Sequence, residues 1–226
     1  MIGIFDSGVG GMSACKELRR LLPKSDIVYL ADRKNAPYGT KTQDELIELV
    51  RTDIKRLRSM GAEQILAACC TASSIAELLG SDETVNFLPI IAPSAREAAK
   101  YSRITVIATD HTARTSAFGR EIRKIAPSAE VQELPCQKLV ALVEEGSKDG
   151  RVTGECMAEL LRIRACALSH GAQGIILGCT HFSHLENTVG KLLQGVAVIN
   201  PAKIGARTLA KKINVTSERG KTLYTE

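Results

Sequence analysis

The chain has 226 residues, 44% hydrophobic and 24% charged, with 30 Lys+Arg against 25 Asp+Glu for a net charge of +5. That composition excludes collagen, intrinsic disorder and a disulfide-knotted miniature, and the length allows one large domain or two small ones. No run approaches about 18 apolar residues, which excludes a membrane-spanning helix, and a mild basic excess with no Trp and scattered Phe and Tyr disfavours nucleic acid.

Short apolar runs alternate with amphipathic stretches from end to end. Residues 2–5, 27–30, 65–68, 104–108, 175–177 and 196–199 are Ile- and Val-rich and bounded by Gly, Asp or polar turns, which predicts buried strands. Between the second and third, Thr42 with Glu45 forms a capping box ahead of Leu46, Ile47, Val50, Ile54 and Leu57, which share one helix face. Farther on, Val152, Met157, Leu160, Leu161 and Leu168 predict a second helix, ended by Gly171. Continuous apolar strands alternating with helices predict an α/β fold whose mostly parallel sheets are covered on both faces.

An internal echo divides the chain. Ser59-Met-Gly-Ala-Glu-Gln-Ile-Leu-Ala-Ala-Cys69 aligns without gaps on Ser169-His-Gly-Ala-Gln-Gly-Ile-Ile-Leu-Gly-Cys179, an offset of 179 − 69 = 110 residues. This predicts two pseudo-symmetric α/β halves, each ending an interior strand on a cysteine. Ligands of such sheets bind beyond the carboxyl ends of the strands, so Cys69 and Cys179 would face each other across a shared cleft.

Seven cysteines stand at 15, 69, 70, 136, 156, 166 and 179, with no CxxC pair and no secretory signal ahead of them, which predicts a reducing, cytosolic compartment. Cys69 and Cys179 each follow a strand and precede a helix start, a position that lowers a thiol pKa and favours thiolate. Consecutive strand residues point to opposite faces, and the gapless alignment selects Cys69 over Cys70 for the cleft. Cys15, Cys136, Cys156 and Cys166 read as packing. Two thiols flanking a small substrate suggest a proton taken from one face and returned on the other, with no metal. A zinc site from Cys69, Cys70, Cys179 and His181 is weaker, because the tight spacing of structural zinc ligands is absent. A cysteine hydrolase with His181 as base also lacks an established signature.

Asp6-Ser-Gly-Val-Gly-Gly11 follows the first strand but has Ser13 where a dinucleotide fingerprint needs Gly or Ala, and there is no P-loop Lys. It reads as a glycine turn able to hold a carboxylate on backbone N–H groups. Thr109 and Thr112 place two hydroxyls one turn apart, and alone they read as N-caps.

Together these residues resemble the glutamate racemases of the aspartate/glutamate racemase superfamily. The resemblance runs in order through Asp6-Ser-Gly-Val-Gly-Gly11, Asp32 with Pro37-Tyr38-Gly39, Ala68-Cys-Cys-Thr-Ala-Ser73, Thr109-x-x-Thr112, Leu142-Val-Glu-Glu-Gly146 and Gly178-Cys-Thr-His-Phe182, almost the whole chain. It implies two pseudo-symmetric domains, 1–93 plus 200–226 and 94–199, with the site between them. It further implies catalysis by Cys69 on the D-enantiomer and Cys179 on the L-enantiomer, assisted by Asp6 and His181. Substrate contacts would come from Ser7, Pro37, Tyr38, Gly39, Cys70, Thr71, Thr109, Thr112 and Thr180, with support from Asp32 and from Glu144 or its neighbour Glu145. No cofactor, pyridoxal phosphate included, and no metal is implied. The product would serve peptidoglycan synthesis. The partner would be a small amino acid, with aspartate in place of glutamate, or ligand binding without catalysis, as the alternatives. The sequence leaves oligomeric state open, a homodimer included.

One position departs from the family pattern, which reads Cys-Asn-Thr where this chain has Cys69-Cys70-Thr71. A thiol replaces neither the amide's acceptor nor its donor well, and a lost hydrogen bond to a charged group costs roughly 1.5–3 kcal/mol. The chain is also short for the family, which predicts a trimmed C-terminus.

Overall fold

The computed structural model describes residues 1–147, 152–213 and 220–226. The first sheet is built from β1 (Ile2–Asp6), β2 (Ile27–Ala31), β3 (Gln64–Ala67) and β4 (Phe87–Pro89), joined by β9 (Thr222–Thr225) from the chain's far end. The second is built from β5 (Arg103–Ala108), β6 (Glu130–Pro135), β7 (Gly174–Gly178) and β8 (Ala197–Ile199). Their orders are β4-β3-β1-β2-β9 and β6-β5-β7-β8, and every pairing is parallel. Read backwards, the second order is β8-β7-β5-β6, the same winding as β4-β3-β1-β2. The 110-residue echo is therefore the trace of two similar halves, with β3 and β7 as counterparts.

Among the described residues, ten α-helices join these strands: α1 (Met12–Leu21), α2 (Gln43–Ser59), α3 (Cys70–Ser74), α4 (Ile91–Ala98), α5 (Asp110–Arg114), α6 (Ala117–Ile125), α7 (Gln137–Ser147), α8 (Gly154–Ser169), α9 (Glu186–Leu192) and α10 (Pro201–Lys212). The predicted capping box holds α2: Thr42 Oγ1 accepts from the Glu45 N–H at 3.3 Å and Glu45 returns a bond to the Thr42 N–H at 2.8 Å. Leu46, Val50, Ile54 and Leu57 are buried as expected, while Ile47 is half-buried at the edge of that face. Gly171, at φ +65°, follows the last turn of α8.

The predicted inner face of α8 needs correcting. Cys156, Leu160, Ile163 and Ala167 are the buried residues, whereas Val152, Leu161 and Leu168 are exposed. Positions 156, 160, 163 and 167 follow the i, i+4, i+7, i+11 rhythm of one stripe; residues 161 and 168 belong to the opposite side.

The pleat distributes each strand between two cores. Ile2, Ile4 and Tyr29 of the first sheet and Ile104, Val106 and Ile176 of the second join a single apolar cluster that spans both halves. Phe5, Val28 and Leu30 face the opposite way onto α2, and Ile107, Ile175 and Leu177 face α7 and α8. The shared cluster presses the halves together with their strand ends on one side. Among the described residues, no helix is long and apolar enough to cross a membrane.

Candidate active site

β3 and β7 both deliver a cysteine just past their last residue. Cys69 stands at φ −128°, ψ 122° and Cys179 at φ −137°, ψ 136°, the same extended conformation ahead of a helical turn. Cys69 and Cys70 pack into separate apolar clusters, as opposite faces of one strand end require. Both nevertheless reach the cleft wall, because α3 begins at Cys70 and turns the chain across it.

The cleft is walled from the first half by Ser7, Cys69, Cys70 and Thr71, with Ala36, Pro37, Tyr38 and Gly39 as a strap across one end. The second half supplies Thr109, Cys179, Thr180, His181 and Glu144. Its cavity is about 20 Å³, room for a single water. Asp6, Asp32 and Thr112 lie behind the wall. Thr112 is fully buried, and its hydroxyl meets those of Thr109 at 3.0 Å and Thr71 at 3.4 Å. Thr71 and Thr109 are themselves 3.0 Å apart, so this hydroxyl triangle ties the two halves together. Thr109 does cap α5, accepting from the Thr112 N–H at 3.3 Å.

Behind Cys69, the completely buried Asp6 accepts from the Gly8 N–H at 2.9 Å and from Thr180 Oγ1, across the halves, at 2.8 Å. The glycine turn thus spends its N–H groups on the chain's own carboxylate, where the sequence suggested a bound ligand's. Burial raises the Asp6 pKa against these bonds and the nearby His181 charge. Gly10 is needed for close approach: a Cβ there would lie 2.6 Å from Thr180 Oγ1 and 2.7 Å from the His181 backbone nitrogen.

The helix-start argument for a lowered thiol pKa does not hold at Cys69. Its sulfur accepts from the Ala72 N–H at 3.4 Å and lies 3.8 Å from Ser7 Oγ, yet burial and the Asp6 charge outweigh both and push the thiol up to about 12. A five-residue helix has a weak dipole, and desolvation penalises the thiolate more than one N–H repays.

On the other side, His181 Nδ1 is 3.5 Å from the Cys179 sulfur and Nε2 is 3.0 Å from Glu144 Oε1. Burial alone would lower the imidazole pKa; the Cys179 sulfur, Glu144 and Asp6 overcome it and raise His181 to about 11. As an imidazolium it donates through Nδ1 to the sulfur and forms an ion pair through Nε2 with Glu144. The imidazole side chain selects Glu144 over Glu145, and its charge lowers the Glu144 pKa.

Sequence reasoning missed Ala36, Gln137 and Val140 on the wall and Asp53 behind it. Gln137 and Val140 follow β6, a strand whose mixed Glu-Val-Gln-Glu-Leu-Pro run carries no buried-strand signal. Among the described residues, no group of three or more His, Cys, Asp or Glu side chains could hold a metal ion.

The chain is 34% identical over 218 residues to a glutamate racemase of Microcystis aeruginosa, spanning 95% of this chain and 76% of that one. It is 36% identical over 225 residues to one from Persephonella marina, spanning 96% and 85%. Among solved structures, glutamate racemase from Francisella tularensis in complex with D-glutamate superposes with a TM-score of 0.86 at 29% identity, covering 99% of this chain and 86% of that one. Picrophilus torridus aspartate racemase, 18% identical with a TM-score of 0.64 and 93% of each chain covered, shares the fold. The Asp/Glu/Hydantoin racemase family model matches residues 8–209, and the chain belongs to that family.

Proposed function

We propose that the chain interconverts L- and D-glutamate, with Cys69 on one side of the substrate's Cα and Cys179 on the other. The observation that carries this reading is the matched pair of cysteines, alike in strand, backbone conformation and position, on opposite walls of one cleft. One thiolate takes the Cα proton, leaving a carbanion delocalised into the carboxylate; the opposite thiol gives a proton to the other face. Cys69 serves the D-enantiomer and Cys179 the L-enantiomer. The substrate's ammonium group, brought beside the thiols, offsets the burial that disfavours thiolate.

Asp6 and His181 assist proton transfer at the respective thiols, His181 held by Glu144. Hydroxyls of Ser7, Thr71, Thr109 and Thr180 and the Pro37-Tyr38-Gly39 strap bind the carboxylates and ammonium; Thr112 orients two of these hydroxyls, and Asp32 supports the strap through Tyr38. Cys70 fills the wall beside Cys69. Glutamate is far larger than one water, so its entry requires the walls to part. The division into domains 1–93 with 200–226, and 94–199, is supported by the return of β9 into the first sheet; residues 148–151 and 214–219 lie outside the described residues. The reaction belongs in the cytosol, supplying D-glutamate for peptidoglycan.

The test incubates pure protein with each glutamate enantiomer in D₂O and follows optical rotation and Cα deuteration. Expected is exchange with both, loss of racemisation in Cys69→Ala and in Cys179→Ala, and little turnover of aspartate. Absence of Cα exchange in the unaltered protein overturns the reading; racemisation at the unaltered rate in either variant overturns the thiol assignment.

A further inference from the structure

Behind the strap, one hydroxyl lies between two carboxylates. Tyr38 Oη is 2.6 Å from Asp32 Oδ2 and 2.9 Å from Asp53 Oδ2, and all three side chains are buried. A phenol carries one proton, and an ionised carboxylate only accepts. Tyr38 can therefore donate to one of the two, and the other must itself bring a proton. We infer that Asp53 is a neutral carboxylic acid whose O–H donates to Tyr38, which in turn donates to an ionised Asp32, and that Asp53 is thereby a positioning residue for the substrate-binding strap.

The assignment between the two follows from their other partners. Asp32 receives the Asn35 side-chain amide on both oxygens, at 2.9 and 3.0 Å, the pattern of an ionised carboxylate. Asp53, projecting inward from α2, has Tyr38 as its hydrogen-bond partner. Facing Asp53 are Tyr38 and Asp32 from the segment after β2, Arg56 on its own helix and Asp6 from β1. Burial foremost, with the charges of Asp32 and Asp6, outweighs the Tyr38 bond and Arg56 and raises its pKa to about 7.

The consequence reaches the cleft through one residue. Gly39, next to Tyr38, packs so tightly on the second half that a Cβ there would lie 2.5 Å from Gln137 Oε1 and 2.7 Å from Thr109 Cβ. Tyr38 thus anchors the strap from behind while Gly39 abuts the opposite wall. Ionisation of Asp53 would set a lone pair against the Tyr38 oxygen and free that anchor.

Two measurements test this, and only the second rests on the glutamate reading. Infrared spectroscopy of the unaltered protein at about pH 6 is expected to show carboxylic-acid carbonyl absorption that fades as pH rises through about 7 and that contains, beside the Glu133 band, a component missing in Asp53→Asn and kept in Glu133→Gln. In kinetics, the KM for glutamate in the unaltered protein is expected to rise through that same range. Asp53→Asn, whose amide N–H replaces the acid O–H, should lose that rise while keeping KM near its pH 6 value. Asp53→Leu, with no donor, should raise KM about tenfold at every pH with kcat less affected. No such absorption in the unaltered protein, absorption identical in Asp53→Asn, or an identical KM rise in both overturns the inference. The infrared arm needs no turnover, so failure of racemisation alone would count against the function and not the proton.

Discussion

At Cys69 the buried sulfur has a backbone N–H at 3.4 Å and a hydroxyl at 3.8 Å, too little to repay the desolvation of its charge. The same competition acts at Glu133 on β6, away from the cleft. One oxygen accepts from the Gly119 N–H at 2.8 Å; the other is buried without a hydrogen bond among the described residues. Burial, against that bond and Arg123 and Arg120, raises its pKa from 4.5 to about 7. The folded state therefore binds more protons than the unfolded between about pH 4.5 and 7, and stability falls as pH rises through that window. Glu133→Gln should be more stable than the parent by about 1–3 kcal/mol at pH 8 and no different at pH 4, read from denaturation at both.

The elements differ in how plainly their residues announce them. All six strands expected from sequence form, to within a residue or two at each end. The three that carried no expectation, β4, β6 and β9, are edge strands with half-buried or exposed residues. An edge strand meets solvent along one side, so selection for a continuous apolar run is relaxed and its pattern blurs into that of a loop. Helix ends were more legible than helix faces. The α2 cap is local chemistry among four residues, whereas which side of α8 is buried depends on where the second sheet lies. Thr42→Ala should cost about 1 kcal/mol, read as a lower denaturation midpoint. Racemisation should survive it, because α2 lies behind the strap.

For the whole molecule, the deciding contact is between halves. Gly10 faces the backbone of His181, which cannot swing aside as a side-chain tip would. Gly10→Ala should leave secondary structure intact by circular dichroism but lower racemisation at least tenfold, by prising Asp6 from Thr180 and widening the gap between the thiols. Gly154→Ala, at the start of α8 with nothing within 4 Å, is the matched control and should leave activity unchanged. Equal rates in the two variants would show that close approach at Gly10 does not govern the site.

The sequence by itself determined the parallel α/β class and the two-fold repetition, which rest on local patterning, and most of the residues that reach the cleft wall, which lie in short motifs that resemble the family's. Cys69, Cys179, Ser7, Thr71, Thr109, Thr180 and His181 were all legible in this way. Tertiary structure alone decided their ionisation and their order of contact: Cys69 raised rather than lowered, Thr112 behind Thr109 rather than beside it, Glu144 rather than Glu145 at His181. It alone brought Asp53 to Tyr38, 15 residues away in the chain. Desolvation and hydrogen-bond partnership depend on neighbours supplied by distant segments, and no reading of adjacent residues contains them.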